Sequence, residues 1–190
     1  GGRARRRGQY LLVRALARLR DAPCHCDCSG SSTRDPDFAG AVAGLIHEAG
    51  LDDRIQFHGE CDDARLRAAY AGADLFVLPS HYEGYGMVVT EAIAAGLPVL
   101  TTTGGALSET LPPGAGIAVP PDDVDALTEA LAALIGDRAR RHALREGARK
   151  ARAALRDWPQ AGAEFAAALR GMDRQPAAMG GDPRPANLGA

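Results

Sequence analysis

A chain of 190 residues, 46% apolar and 24% charged, can bury one core, and its formal net charge of -2 excludes an overall field drawing it to nucleic acid or an anionic membrane. No stretch approaches the roughly 20 consecutive apolar residues that span a bilayer, and the start lacks the apolar core of a secretion signal, so a soluble, cytoplasmic protein without a transmembrane segment is expected. A local basic excess stands out in residues 1–20, with Arg3, Arg5, Arg6, Arg7, Arg14, Arg18 and Arg20 and no acidic residue.

In chain order, Gln9 to Arg20 carries Leu12, Leu16 and Leu19 at helical spacing and reads as an amphipathic helix. Cys24, Cys26 and Cys28 alternate with His25 and Asp27. Zinc sites separate paired cysteines by two to four residues on a turn, whereas alternate positions on a strand put all three on one face. The run therefore reads as a strand with three small apolar side chains inward. Asp35-Pro36 caps and opens a helix that Gly50 ends. Arg54 to His58 is the next strand. Asp62 or Asp63 caps a helix through Leu66 and Tyr70, and Leu75-Phe76-Val77-Leu78 is a strand. A helix from Met87 to Ala95 closed by Gly96, a strand from Pro98 to Thr102, a short helix near Leu107 and a strand from Ile117 to Val119 follow. Closing helices span Asp122 to Ile135 and Arg138 to Leu155, with one more short helix from Trp158 to Leu169.

Apolar strand runs alternating with helices predict an α/β fold, a doubly wound parallel sheet covered on both faces. One domain over residues 1–171 and a disordered tail rich in Pro, Gly and Ala over 172–190 complete the expected organisation.

The chemistry concentrates between Pro79 and Ala92, where a strand ends and a helix begins. In open α/β sheets ligands bind at the carboxyl ends of the strands. Gly84 and Gly86 let backbone approach a ligand, and the amides of Gly86, Met87 and Val88 at the helix start suit an anion such as phosphate. Glu83 precedes that anion site and Glu91 lies in the helix behind it. Carboxylates repel phosphate but accept hydrogen bonds from hydroxyls, so the pair fits a ligand that joins phosphate to sugars. Read without that ligand, Glu83 would complement the helix dipole and Glu91 would be a surface helix residue. Tyr82 and Tyr85 would stack on a sugar or pack on the core.

The stretch from Arg54 to Pro121 resembles the C-terminal domain of the retaining GT-B glycosyltransferases of family 4. ADLFVLPS precedes EGYGMVVTEAIAAGLPVL, in which Glu83 and Glu91 are separated by seven residues, and GGALSE and GIAVPPDD follow. The resemblance runs more weakly from Gly2 to Gly59. It implies that Glu83 holds donor-sugar hydroxyls, that the Gly84, Tyr85, Gly86, Met87 and Val88 stretch meets the sugar or diphosphate, and that Glu91 binds the ribose. It further places Arg3 and Arg7 near the family's basic pair, Gly30 against the nucleotide, and Cys61 and Asp63 near the base. A fixed guanidinium at Arg7 would stabilise a leaving diphosphate more in the transition state than in the ground state.

The implied activity is transfer of a sugar, with retention, from a nucleotide diphosphate sugar to a hydroxyl acceptor. It needs no metal and no cofactor beyond the donor. Asp35-Pro-Asp37 and Asp123-Val-Asp125 resemble a metal-binding Asp pair, but both sit where helix capping explains them. His47, His58, His81 and His142 have no assigned role. By the same resemblance an acceptor-binding domain and a first strand ending just before Arg3 precede this region. Any peripheral membrane contact would run through that other domain, and alone these residues are expected to be poorly stable and inactive. Two other readings stay open: a non-catalytic nucleotide-sugar-binding subunit, and a metal-binding or redox protein using the Cys24/Cys26/Cys28 strand.

Overall fold

A computed structural model describes residues 2–30 and 33–153, with side chains from residue 8 onward. Twelve elements alternate along those residues: α1 (Gly2–Arg18), β1 (Cys26–Ser29), α2 (Pro36–Glu48), β2 (Ile55–Gly59), α3 (Asp63–Gly72), β3 (Phe76–Leu78), α4 (Met87–Ala94), β4 (Val99–Thr102), α5 (Leu107–Thr110), β5 (Gly116–Val119), α6 (Val124–Gly136) and α7 (Arg138–Arg152). The short helix expected after Trp158 and the tail from 172 lie outside the described residues. No described helix is long and apolar enough to cross a membrane.

Local chemistry sets most boundaries. Asp35, Asp62, Asp123 and Asp137 each accept a hydrogen bond from an amide in the first turn of the helix they precede, meeting one of the donors a helix start leaves without an intrahelical partner. Capping thus accounts for Asp35 and Asp123, and between Asp62 and Asp63 the cap is Asp62. The first helix departs from expectation, beginning at Gly2 rather than Gln9 and ending at Arg18. Its buried face is Leu11, Leu12, Val13, Ala15 and Leu16, packed against α2 and α6. Gly8 lies so close to the end of β3 that a β-carbon there would sit 2.9 Å from the Pro79 carbonyl oxygen.

All strand pairs are parallel. β1 pairs with β2, and β3-β4-β5 form a second hydrogen-bonded group. Among the described residues, β1 and β3 each have a strand on one side only. Both groups pack on a single core that includes Ile55, Leu100, Val119, Leu127, Leu131 and Leu134. Val99 to Thr102 of β4 are buried on both faces, as a central strand requires. The two buried threonines are satisfied locally: Thr101 Oγ1 donates to the Leu78 carbonyl at 2.9 Å and Thr102 Oγ1 to that of Ser80.

Cys24, Cys26 and Cys28 are half-buried against the core, and Cys26 and Cys28 stand 3.8 Å apart, sulfur to sulfur. Hydrogen bonding between them raises the Cys26 pKa and lowers that of Cys28. No group of three or more metal-ligating side chains occurs among the described residues. Arg54 organises the approach to this strand, its guanidinium donating to the carbonyls of Leu19, Arg20, Ala22 and Cys24 and to the Cys24 sulfur.

Candidate donor-binding site

Within each strand group the pairing is parallel, so carboxyl ends fall on one edge of that group, and most of the residues singled out in the sequence follow such ends. Gly30 follows β1, with φ at 154° and its amide bonded to the Gly59 carbonyl at 2.8 Å. Cys61 follows β2, its thiol 3.5 Å from Ser29 Oγ. The exposed Asp63 is the first residue of α3, 3.8 Å from Arg67. Arg3 and Arg7 lie in α1, one turn apart, and Arg7 immediately precedes the glycine that abuts Pro79.

The loop between β3 and α4 is the most constrained part of the edge. Glu83 forms an isolated parallel bridge with Gly105: its amide donates to the Gly104 carbonyl at 3.4 Å and its own carbonyl accepts from the Ala106 amide at 2.8 Å. Glu83 is therefore an extended, cross-tied residue and not part of the helix start, and its Oε2 atom is shielded from solvent. The tie needs glycines opposite. A β-carbon on Gly104 would collide with the His81 carbonyl and one on Gly105 with the Glu83 carbonyl, and Gly105 has φ of +65° besides. These contacts explain GGALSE, which the sequence offers only as a segment of the resemblance.

Gly86 stands at the N-cap of α4 with φ of 62°, against the Thr110 side chain, so backbone geometry and space both call for glycine. Gly84 has open space where a β-carbon would go. Among the described residues no backbone carbonyl accepts from the amides of Gly86, Met87 or Val88, the arrangement that lets a helix start receive an anion. Around it Tyr82, Tyr85 and Met87 are exposed by 59%, 83% and 64%. Tyr82 rests against Gly105, whereas Tyr85 does not pack on the core.

Glu91 is exposed in the second turn of α4, and its Oε2 accepts a hydrogen bond from Tyr70 of α3 at 3.0 Å. That contact is not visible in the sequence, where 21 residues separate the two. Burial, then the bond to Glu91, raises the Tyr70 pKa above the ordinary tyrosine value. Three of the four histidines left unassigned by sequence gain partners: His81 Nδ1 lies 2.5 Å from Asp122, His58 Nε2 2.6 Å from Asp27 and His47 Nδ1 3.3 Å from Asp52. Asp122 holds a left-handed backbone, φ 61°, rare for a residue other than glycine, in the loop that leads to α6.

The fold is an α/β domain of parallel strands, a class in which ligands bind at the strands' carboxyl ends. Residues 2–151 match the family described as Glycosyl transferases group 1, and the chain belongs to that family. It is 35% identical over 146 residues to a D-inositol 3-phosphate glycosyltransferase of Xylanimonas cellulosilytica, covering 76% of this chain and 35% of the relative. Among solved structures it is similar to sucrose-phosphate synthase from Thermosynechococcus elongatus, with a TM-score of 0.78 and 32% identity, covering 89% of this chain and 43% of that one. It also resembles Anabaena Alr3699/HepE, solved in complex with UDP and glucose, with a TM-score of 0.75 and 23% identity over 86% of this chain and 45% of that one. The chain thus spans about a third to under half the length of these relatives. Its fold is the Rossmann-like fold of the C-terminal half of GT-B glycosyltransferases.

Proposed function

We propose that these residues are the donor-binding half of a retaining glycosyltransferase, which takes a sugar from a nucleotide diphosphate sugar and passes it to a hydroxyl acceptor held on a separate domain. One observation carries the reading: two carboxylates flank a helix start with available amides, at the carboxyl edge of a parallel sheet. A phosphate alone would be repelled by Glu83 and Glu91, whereas a diphosphate carrying a sugar at one end and a ribose at the other presents hydroxyls to both.

In this reading the amides of Gly86, Met87 and Val88 and the guanidinium of Arg7, with Arg3 beside it, meet the diphosphate. Glu83 orients the sugar, Tyr85 and Gly84 border it, Glu91 takes the ribose, and Gly30, Cys61 and Asp63 border the nucleoside. As the bond from the anomeric carbon to the diphosphate oxygen lengthens, charge grows on that oxygen and the sugar gains oxocarbenium character. Fixed donors already in place stabilise that charge without reorganising, which lowers the barrier more than it tightens substrate binding. Amides and guanidinium do here what a divalent metal does elsewhere, so the donor is proposed to bind without one. The UDP-glucose complex of Anabaena Alr3699/HepE, a protein of the same fold, supports the choice of ligand class.

The test is calorimetric titration of the 190-residue chain with uridine, guanosine and adenosine diphosphate sugars. The expected result is saturable binding of one base series, weakened at least tenfold by Glu91→Ala. A folded chain that binds none of the three series would overturn the proposal.

A further inference from the structure

Glu91 is exposed on α4 and carries three rotatable side-chain bonds, so alone it would sample many orientations. Among the described residues it is held at one oxygen only. Tyr70, on the last turns of α3, donates its phenol hydrogen to Oε2 at 3.0 Å, and its ring lies against Phe76 of β3 with centroids 6.0 Å apart. The phenol is therefore fixed by a strand and a helix that do not belong to α4. A carboxylate has about four lone-pair sites. One is taken by the phenol, which leaves Oε1 and the remaining site on Oε2 for a pair of adjacent hydroxyls.

We infer that Tyr70 is a positioning residue for the donor, orienting the Glu91 carboxylate toward the two hydroxyls of the ribose and so making the site select ribonucleotides over 2′-deoxyribonucleotides. The inference rests on the assignment of Glu91 to the ribose. Tyr70 itself touches no ligand. Its effect is to remove freedom from Glu91 before binding, so that the ordering cost is met in folding and not at each encounter. A competing possibility, that the phenol merely occupies a carboxylate the ligand must win back, predicts the opposite sign.

The experiment is calorimetry of the 190-residue chain with UDP, GDP and ADP, each in ribo and 2′-deoxyribo form. Four proteins are compared: the parent, Tyr70→Phe, Glu91→Ala and the double variant, with circular dichroism confirming that each is folded. The parent is expected to prefer the ribo form. Tyr70→Phe, which keeps the ring and its packing on Phe76, should weaken the ribo form ~5-fold and leave the deoxy form within ~2-fold, a loss the size of one ordinary net hydrogen-bond contribution. In the Glu91→Ala background the same change should do nothing. An equal loss on both sugar forms, or tighter binding of the ribo form, would overturn the role of Tyr70 while leaving that of Glu91 intact. If Glu91→Ala affects ribo and deoxy forms alike, or if none of the three diphosphates binds the folded parent, the ribose assignment fails and this inference with it.

Discussion

The two strand groups contribute to the same edge but hold their site residues by different means. In β3-β4-β5 the central strand is buried on both faces, buried threonines tie β4 to the end of β3, and the Glu83 loop is bridged to the glycine pair after β4. In β1-β2 only Ile55 is fully buried, Phe57 is 45% exposed, and the strand that leads to Gly30 is steadied from behind by one side chain, Arg54. In the proposed reading the sugar and diphosphate thus meet a loop cross-tied by main-chain bonds, and the nucleoside meets the ends of a two-stranded ladder whose approach is braced by Arg54.

That contrast can be broken by substitution. The largest effect should come from Gly105→Ala, which adds both a left-handed backbone penalty and a collision with the Glu83 carbonyl, roughly 3 kcal/mol in all. Urea unfolding gives the loss and hydrogen exchange its location. A loss under ~1 kcal/mol would show that the loop yields and is not firmly tied. Next is Arg54→Ala, expected to cost about 2 kcal/mol because several carbonyls lose a charged donor. Exchange should then accelerate in β1-β2 while Glu83 and Ala106 stay protected; equal acceleration in both groups would abolish the distinction drawn between them.

The smallest effect concerns Tyr70 and is fully present at neutral pH. Its pKa is raised in the folded chain by burial and by Glu91, so the unfolded chain releases that proton first. The stabilisation is complete below pH about 10 and is lost as pH climbs from there toward the folded value. The stability gap between the parent and Tyr70→Phe should therefore narrow from pH 8 to pH 11. A constant gap would mean that the phenol titrates alike in both states.

Much of the fold was legible because its punctuation is local. Asp35-Pro36, Asp62, Gly96 and Asp123 mark helix ends through short-range hydrogen bonds and backbone preference, so boundaries there fall within a residue or two. The start of α1 is not legible because Gly2 to Gly8 holds no large apolar residue to set a helical period, although its alanine and arginines favour a helix. Grouping of the strands was equally hidden, since pairing is decided by tertiary contact. At the site, residue types and the spacing of Glu83 and Glu91 pointed to the ligand class. The Glu83-Gly105 bridge, the Tyr70-Glu91 bond and the His81-Asp122 pair join segments about 20 or more residues apart and leave no local trace.

The ties on the Glu83 loop also bear on how affinity would be read in any ligand titration. An apparent dissociation constant is the intrinsic one divided by the fraction of molecules already in the receptive shape. A loop in place nine-tenths of the time loses almost nothing, whereas one in place about a hundredth of the time loses about a hundredfold without any change in its contacts. The Thr102 hydroxyl on the Ser80 carbonyl and the Gly104-Glu83 bond lie on the near side of that division. Altering them would lower affinity through the population of competent molecules, while the bound complex itself stayed the same.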